Sequence, residues 1–279
     1  MSMKIRPFDA ALGAEVAGID CREITAEEAP ILREAFARYH VLVVHGDVMP
    51  DDDLVAFGAC FGNLERAKFP SAVTTRPEVM VISNVRQNGE LVGKLPDGEV
   101  EWHFDRMHQR TPNIAAVLHA VEIPSWGGET IYANIARAYE SLPAATKRKI
   151  EGLTAANLYD YDASSRDSRV LTATTPRAVH PVVKRLPGSG EKTFWVSPLM
   201  TERIVELAED EGNALLAELF EAMAKPEFSY EHRWTLGDTL IWDNRCVAHR
   251  RNDFDPNQRR LLKRVTVRDD AAVTLRRDQ

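Results

Sequence analysis

The stretch that decides the fold is "TLIWDNRCVAHRRNDFDPNQRRLLKRVTVRD", residues 239 to 269. TLIWD, CVAH and RRLLKRVTVRD are rich in apolar and β-branched residues and read as three strands. Asn244 and Arg245 offer a two-residue turn between the first two, and NDFDPNQ is a strong turn sequence before the third. Along that third strand a period of two puts Arg260, Leu262, Arg264 and Thr266 on one face and Arg259, Leu261, Lys263 and Val265 on the other. One face therefore carries two arginines about 13 Å apart, each able to hold a separate anion, unless both are solvent-facing charges of an outer strand.

Working outward, EVMVIS (78–83), VEWHFD (100–105), IAAVLHAVEI (114–123) and ETIYAN (129–134) are further strand candidates, separated by Pro, Gly and Asn turns. NVRQNGELVGKLPDGE (84–99) between two of them reads as a polar loop, long enough to be functional. Helices are expected over 25–39, where Thr25 and Glu28 suit a capping box, and from the acidic start at 51 to Gly62. Two more are expected over 141–152 and 201–224, with Ser141 and Thr201 as caps. Many short strands with few helices and no regular β-α-β alternation give a mainly β fold, a curled antiparallel sheet or jelly roll with flanking helices.

The 279 residues are expected to form a single domain, 1–279. A net charge of −7 disfavours general binding to nucleic acid, and no apolar run is long enough to suggest a membrane span or an export signal. A cytoplasmic, homo-oligomeric protein is the expectation. Cys21, Cys60 and Cys246 are odd in number and widely spaced, which argues against a disulfide framework, and they read as buried small hydrophobes.

EWHFDRMH (101–108) places His103 and Asp105 two residues apart, so that on a strand both point one way while Trp102 and Phe104 point the other. The spacing alone is weak, because His45-Gly46-Asp47 repeats it. The best-placed third ligand is His249, at the end of CVAH. Two histidines and a carboxylate on one face of a metal leave positions open for a chelating cosubstrate and dioxygen, the arrangement that suits ferrous iron.

From LGAEVAGID (12–20) through WHFD (102–105), GGET (127–130), HPVV (180–183), IWDNR (241–245) and HRRNDFDPNQRRLLKR (249–264), the chain resembles the taurine and 2,4-dichlorophenoxyacetate dioxygenase family of Fe(II)/2-oxoglutarate-dependent oxygenases. The resemblance implies a double-stranded β-helix (jelly roll, cupin-like) core. It implies His103, Asp105 and His249 as iron ligands, and Thr130 and Arg260 as the pair holding the far carboxylate of 2-oxoglutarate. Arg264 matches an arginine that meets the substrate's anionic group in several members, while His45-Gly46-Asp47 has no counterpart and reverts to a turn.

Two positions depart from the pattern. Phe104 stands where many members have a small Thr or Ser, and Glu99 lies near a neutral substrate-binding position of some relatives. Both are assigned here to the substrate pocket, while Trp102 and Trp242 read as core residues that could also line it. The function expected is oxidation of a small anionic organic substrate by Fe(II), 2-oxoglutarate and O2, giving succinate and CO2. Hydroxylation is the basic outcome, with C–S, C–O or C–N cleavage where the carbon bears a sulfonate, ether or amine. A sulfonate, an aryloxy acid or an amino-acid-like zwitterion would fit, the last by an amine contact to Glu99 or Glu101. The alternatives are a metal-dependent hydrolase or isomerase on a similar barrel and a non-catalytic anion-binding sensor.

Overall fold

The computed structural model describes residues 3–95, 97–159 and 163–269. Eleven strands make its two main sheets: β1 (Lys4–Pro7), β2 (Ala14–Ala17), β3 (Val41–Val44), β4 (Met80–Ser83), β5 (Val100–His103), β6 (Ala115–Glu122), β7 (Thr130–Asn134), β8 (Ser229–His232), β9 (Thr239–Asp243), β10 (Val247–Arg251) and β11 (Leu261–Val267). The larger sheet runs β1-β2-β3-β9-β6-β11-β4, and the smaller runs β8-β7-β10-β5. Every pairing in them is antiparallel except β2 with β3. This is the jelly-roll core expected from the sequence.

Helices α1 (Glu28–Tyr39) and α2 (Asp51–Ala59) cover one face of the larger sheet, where Leu32, Phe36, Leu54 and Phe57 pack with Val117, Ile241 and Val265. The capping box forms as expected: Thr25 N donates to Glu28 Oε2 (2.9 Å) and Glu28 N to Thr25 Oγ1 (3.2 Å). On β11 the alternation also holds. Val265 faces this helix layer and Lys263 reaches Asp51 of α2 (2.5 Å), while Arg260, Leu262, Arg264 and Thr266 turn toward the space between the sheets.

Four expectations are corrected. Residues 201–204 are a strand paired with Thr154–Leu158, and the helix is confined to Glu209–Met223 (α5). The Thr201 hydroxyl donates to Asn157 Oδ1 (2.7 Å) instead of capping, and three acidic residues at 209–211 mark the true start. Ser141 ends a helix rather than starting one: α3 (Ile135–Ser141) is capped by Asn134, whose side chain accepts from Arg137 N (3.1 Å), and α4 (Ala144–Ile150) follows Pro143. The 84–99 segment, whose Pro96 lies outside the described residues, carries a small hairpin of Arg86–Gln87 with Glu90–Leu91. Asn88 and Gly89 at its tip both have positive φ (51° and 85°), the requirement of a tight hairpin turn.

The fourth concerns His45-Gly46-Asp47, which follows β3 as irregular chain and not as a turn. His45 Nδ1 lies 2.6 Å from Asp238 Oδ1, and His232 Nε2 lies 3.1 Å from Oδ2. Thr235 donates to the same carboxylate through N (2.8 Å) and Oγ1 (2.7 Å). Burial opposes ionisation of Asp238, but the His232, Thr235 and His45 hydrogen bonds outweigh it and lower its pKa to about 2. A carboxyl depressed in the folded state contributes stability above its unfolded pKa and loses it as pH falls through the folded value. Asp238→Asn is therefore expected to cost about 2 kcal/mol at neutral pH, with the gap to wild type closing between about pH 4 and pH 2. Denaturant midpoints at pH 7 and pH 3 measure this; an equal gap at both would assign the loss to packing instead.

Candidate active site

A cavity of about 400 Å³ opens between the two sheets. β5 and β10 bring His103 and His249 to it as cross-strand partners, with ring centroids 4.1 Å apart. β5 ends at His103, so Asp105 lies just past the strand, yet one ligand atom each from His103, Asp105 and His249 falls within 4.8 Å of the others. All three are buried.

The protonation states suit a metal. Burial pushes the pKa of both imidazoles down, that of His249 far down, so both are neutral near pH 7. Burial opposes ionisation of Asp105, but Arg264 beside it, then His249 and His103, bring its carboxyl below the ordinary range. Two neutral imidazoles and one carboxylate form a donor set that fits a divalent ion without a proton having to leave. His103 Nδ1–H donates to Glu101 O (2.7 Å), which leaves Nε2 as its metal-facing nitrogen.

The main chain at Asp105 is set by Asn244, which the sequence places only as a turn residue. Asn244 accepts from Asp105 N (2.7 Å) and returns its amide to Asp105 O and Asn113 O (both 3.0 Å). The signal was present in IWDNR: a turn asparagine with a full set of amide groups, directly between two strands that feed the site.

Arg260 sits just before β11, 3% exposed, and its Nη2 donates to Gly128 O (3.2 Å). Burial, then the neighbouring Arg251, lower its pKa to about 9, so it stays charged at neutral pH. A buried guanidinium with one carbonyl partner has most of its fork left for an anion. Gly128 makes the close approach possible: it has φ 71°, and a Cβ there would lie 2.9 Å from Arg260 Nε. Thr130, at the start of β7, accepts from Trp234 Nε1 (3.0 Å), a contact that does not use its own hydroxyl proton. Thr130 and Arg260 line the same cavity as the histidines.

Arg264 is also in the cavity, but its fork is engaged. Nη1 donates to Asp105 Oδ1 (2.9 Å) and Nη2 lies 2.7 Å from Oδ2, while its buried Nε has no hydrogen-bond partner. Phe104 is corrected to core: it is fully buried, does not line the cavity, and packs on Trp195 at 4.1 Å. Glu99 is corrected too, being exposed and lining a separate surface cleft with Glu101, Trp102 and Arg250. The strand alternation that sends His103 inward sends Trp102 outward, so of the aromatic candidates only Trp242 lines the cavity.

The rest of the lining was not identified from sequence. Met80, Ile82, Leu118 and Met200 make an apolar wall, and Lys68 and Lys94 hold their ammonium groups over the Phe69 ring, at 5.5 and 4.9 Å from its centroid. His108 lines it as well. Burial, then Lys68 and Arg106, lower its pKa to about 4, so it adds no charge.

Residues 4–266 match the sequence model of the taurine catabolism dioxygenase TauD, TfdA family. The alpha-ketoglutarate-dependent 2,4-dichlorophenoxyacetate dioxygenase of Cupriavidus pinatubonensis is 33% identical, the match covering 98% of this chain and all of that one. The pentalenolactone F synthase of Streptomyces arenae is 31% identical over 97% of each chain. Among solved structures, a taurine dioxygenase from Burkholderia xenovorans superposes with a TM-score of 0.81 at 30% identity, covering 97% of this chain and 90% of that one.

Proposed function

The chain belongs to the taurine catabolism dioxygenase TauD, TfdA family, and from that premise we propose a ligand set, a cosubstrate clamp and a substrate class for it. It is an alpha-ketoglutarate-dependent dioxygenase, and its chemistry requires Fe(II), 2-oxoglutarate and O2. His103, Asp105 and His249 hold the iron, and Arg260 with Thr130 holds the far carboxylate of 2-oxoglutarate. One domain, residues 1–279, carries the whole site, a reading supported by the span of the family match. The observation that carries the assignment is the opening of the His-Asp-His cluster and the under-used Arg260 fork into one buried cavity.

When bound, the iron supplies dioxygen activation coupled to decarboxylation of 2-oxoglutarate, giving succinate, CO2 and an oxidised substrate. The protein's own work is positional. Arg260 and Thr130 orient the cosubstrate, Asn244 fixes Asp105, and the apolar wall of Met80, Ile82, Leu118 and Met200 keeps water from the reacting carbon. A hydrolase would use a metal-bound water and would leave Arg260 buried without an anion.

Relatives of nearly equal identity carry different names, so the pocket must select the substrate. Its lining favours an organic acid with an apolar body, because Lys68, Lys94 and Arg264, whose Nε has no hydrogen-bond partner, place positive charge beside that wall. A sulfonate or aryloxy acid meets these terms. A zwitterion loses its expected amine contact, since Glu99 and Glu101 face another cleft. The product is the hydroxylated acid, or fragments of it where a sulfonate or ether carbon is attacked.

A screen of such acids for coupled succinate production tests the class. Arg264→Ala is expected to weaken the active acid by about 1.5–3 kcal/mol, the scale of a hydrogen bond to a charged group, and 2-oxoglutarate by less. Turnover of a neutral substrate indifferent to this change would refute the anion assignment and leave the oxygenase intact.

A further inference from the structure

Outside the iron cluster, one other group of ligating side chains among the described residues is buried: His40 at the end of α1, Asp243 at the end of β9 and Cys246 in the turn that follows. One ligand atom from each lies within 4.8 Å of the other two, with His40 Nδ1 4.0 Å from Asp243 Oδ2. We propose that these three side chains form a second metal site, structural in role, for a thiophilic divalent cation of the zinc class.

Three observations support it. His40 Nδ1 is buried and has no hydrogen-bond partner, a state that disfavours the fold when nothing meets the nitrogen. The cluster is held by main chain rather than by chance side-chain packing. His40 takes φ 64°, its N donates to Phe36 O (2.9 Å), and its carbonyl accepts from Asp243 N (2.8 Å), while Cys246 N donates to Asp243 O (3.2 Å). The donor set, imidazole, carboxylate and thiol sulfur, is borderline-soft, unlike the sulfur-free iron cluster.

Arg245 already forks onto Asp243, Nε to Oδ1 at 2.8 Å and Nη2 to Oδ2 at 2.7 Å, and its main-chain N also donates to Oδ1 (3.0 Å). A carboxylate has about four acceptor directions, so Oδ2, the oxygen nearer His40 Nδ1, keeps one for a cation. With metal–ligand bonds of about 2.0–2.3 Å, the present separations close by sub-ångström side-chain shifts. Burial holds the Cys246 thiol protonated and the His40 imidazole neutral. The sulfur–metal bond therefore forms as the thiol proton leaves to solvent, and His40 binds without losing a proton. The ion would join the end of α1 to the turn between β9 and β10, and β10 carries His249, three residues beyond Cys246.

The test uses full-length protein stripped of metal and titrated with Co(II). A thiolate-to-cobalt absorption band in the near ultraviolet is expected to saturate within two equivalents, the sulfur-free iron cluster taking up cobalt without adding to it, and to persist in His103→Ala. Zinc should bleach it. Cys246→Ser should lack it, and His40→Gln should need at least about tenfold more cobalt, because loss of even an outer partner of a metal ligand costs that much. The proposal is overturned if folded wild-type protein shows no such band, if the band survives in Cys246→Ser, or if His40→Gln titrates like wild type. None of these outcomes depends on the iron assignment.

Discussion

Anaerobic addition of Fe(II) and 2-oxoglutarate should produce a weak visible charge-transfer band, and His103→Ala, Asp105→Ala and His249→Ala should each remove it. The band needs the keto acid chelated to iron, and iron needs all three donors in their deprotonated forms, which is how burial and Arg264 hold them. Loss of a histidine removes one of only three protein ligands and leaves the other two unable to fix the ion's geometry. Asp105→Ala goes further, because it also strands the Arg264 guanidinium in a buried cavity beside two imidazoles. Circular dichroism on each variant separates lost binding from lost fold. A full-strength band in any folded variant would strike that residue from the ligand set.

Arg260→Ala is expected to raise the 2-oxoglutarate requirement by about 2–4 kcal/mol while leaving iron binding largely unchanged. The size follows from burial: Arg260 is 3% exposed, so an anion bound there is desolvated and depends on this charge. The neighbouring Arg251 cannot replace it, because its guanidinium is spent on the carbonyls of Leu95, Asp97 and Gly98 at 2.7–3.2 Å. Arg260→Lys should rescue poorly, since an ammonium lacks the planar fork. Succinate formation against 2-oxoglutarate concentration reads the effect, and an unchanged requirement would move the clamp off Arg260.

What the sequence made legible was whatever depends on local period. The strands around the cavity and the inward set of Arg260, Leu262, Arg264 and Thr266 follow from alternation within one segment, whereas Asp105 lies past the end of β5 and is set beside His103 by Asn244. The errors arose where tertiary partners decide. Thr201 suits a helix cap and a strand equally well until Asn157 is known to face it. Phe104 and Glu99 neighbour the ligands in sequence, yet the pleat and the chain beyond it carry both away from the cavity. The fork of Arg264 on Asp105 joins residues 159 apart, and no pattern within either segment announces it.

The alternation on β11 also bears on how this chain can vary over generations. Surface turns ordinarily tolerate gained or lost residues, but residues 252–260 join the strand of His249 to the strand of Arg264 and are pinned on the way by Asn84, whose side chain bonds Pro256 O, Gln258 O and Arg260 N. A one-residue deletion that slid β11 by one position would swing both arginines toward the helix layer and point Leu261, Lys263 and Val265 at the metal. Drift in this turn is therefore confined to substitutions, and a lineage that shortens it by a single codon must give up either the pairing of β11 or the enzyme.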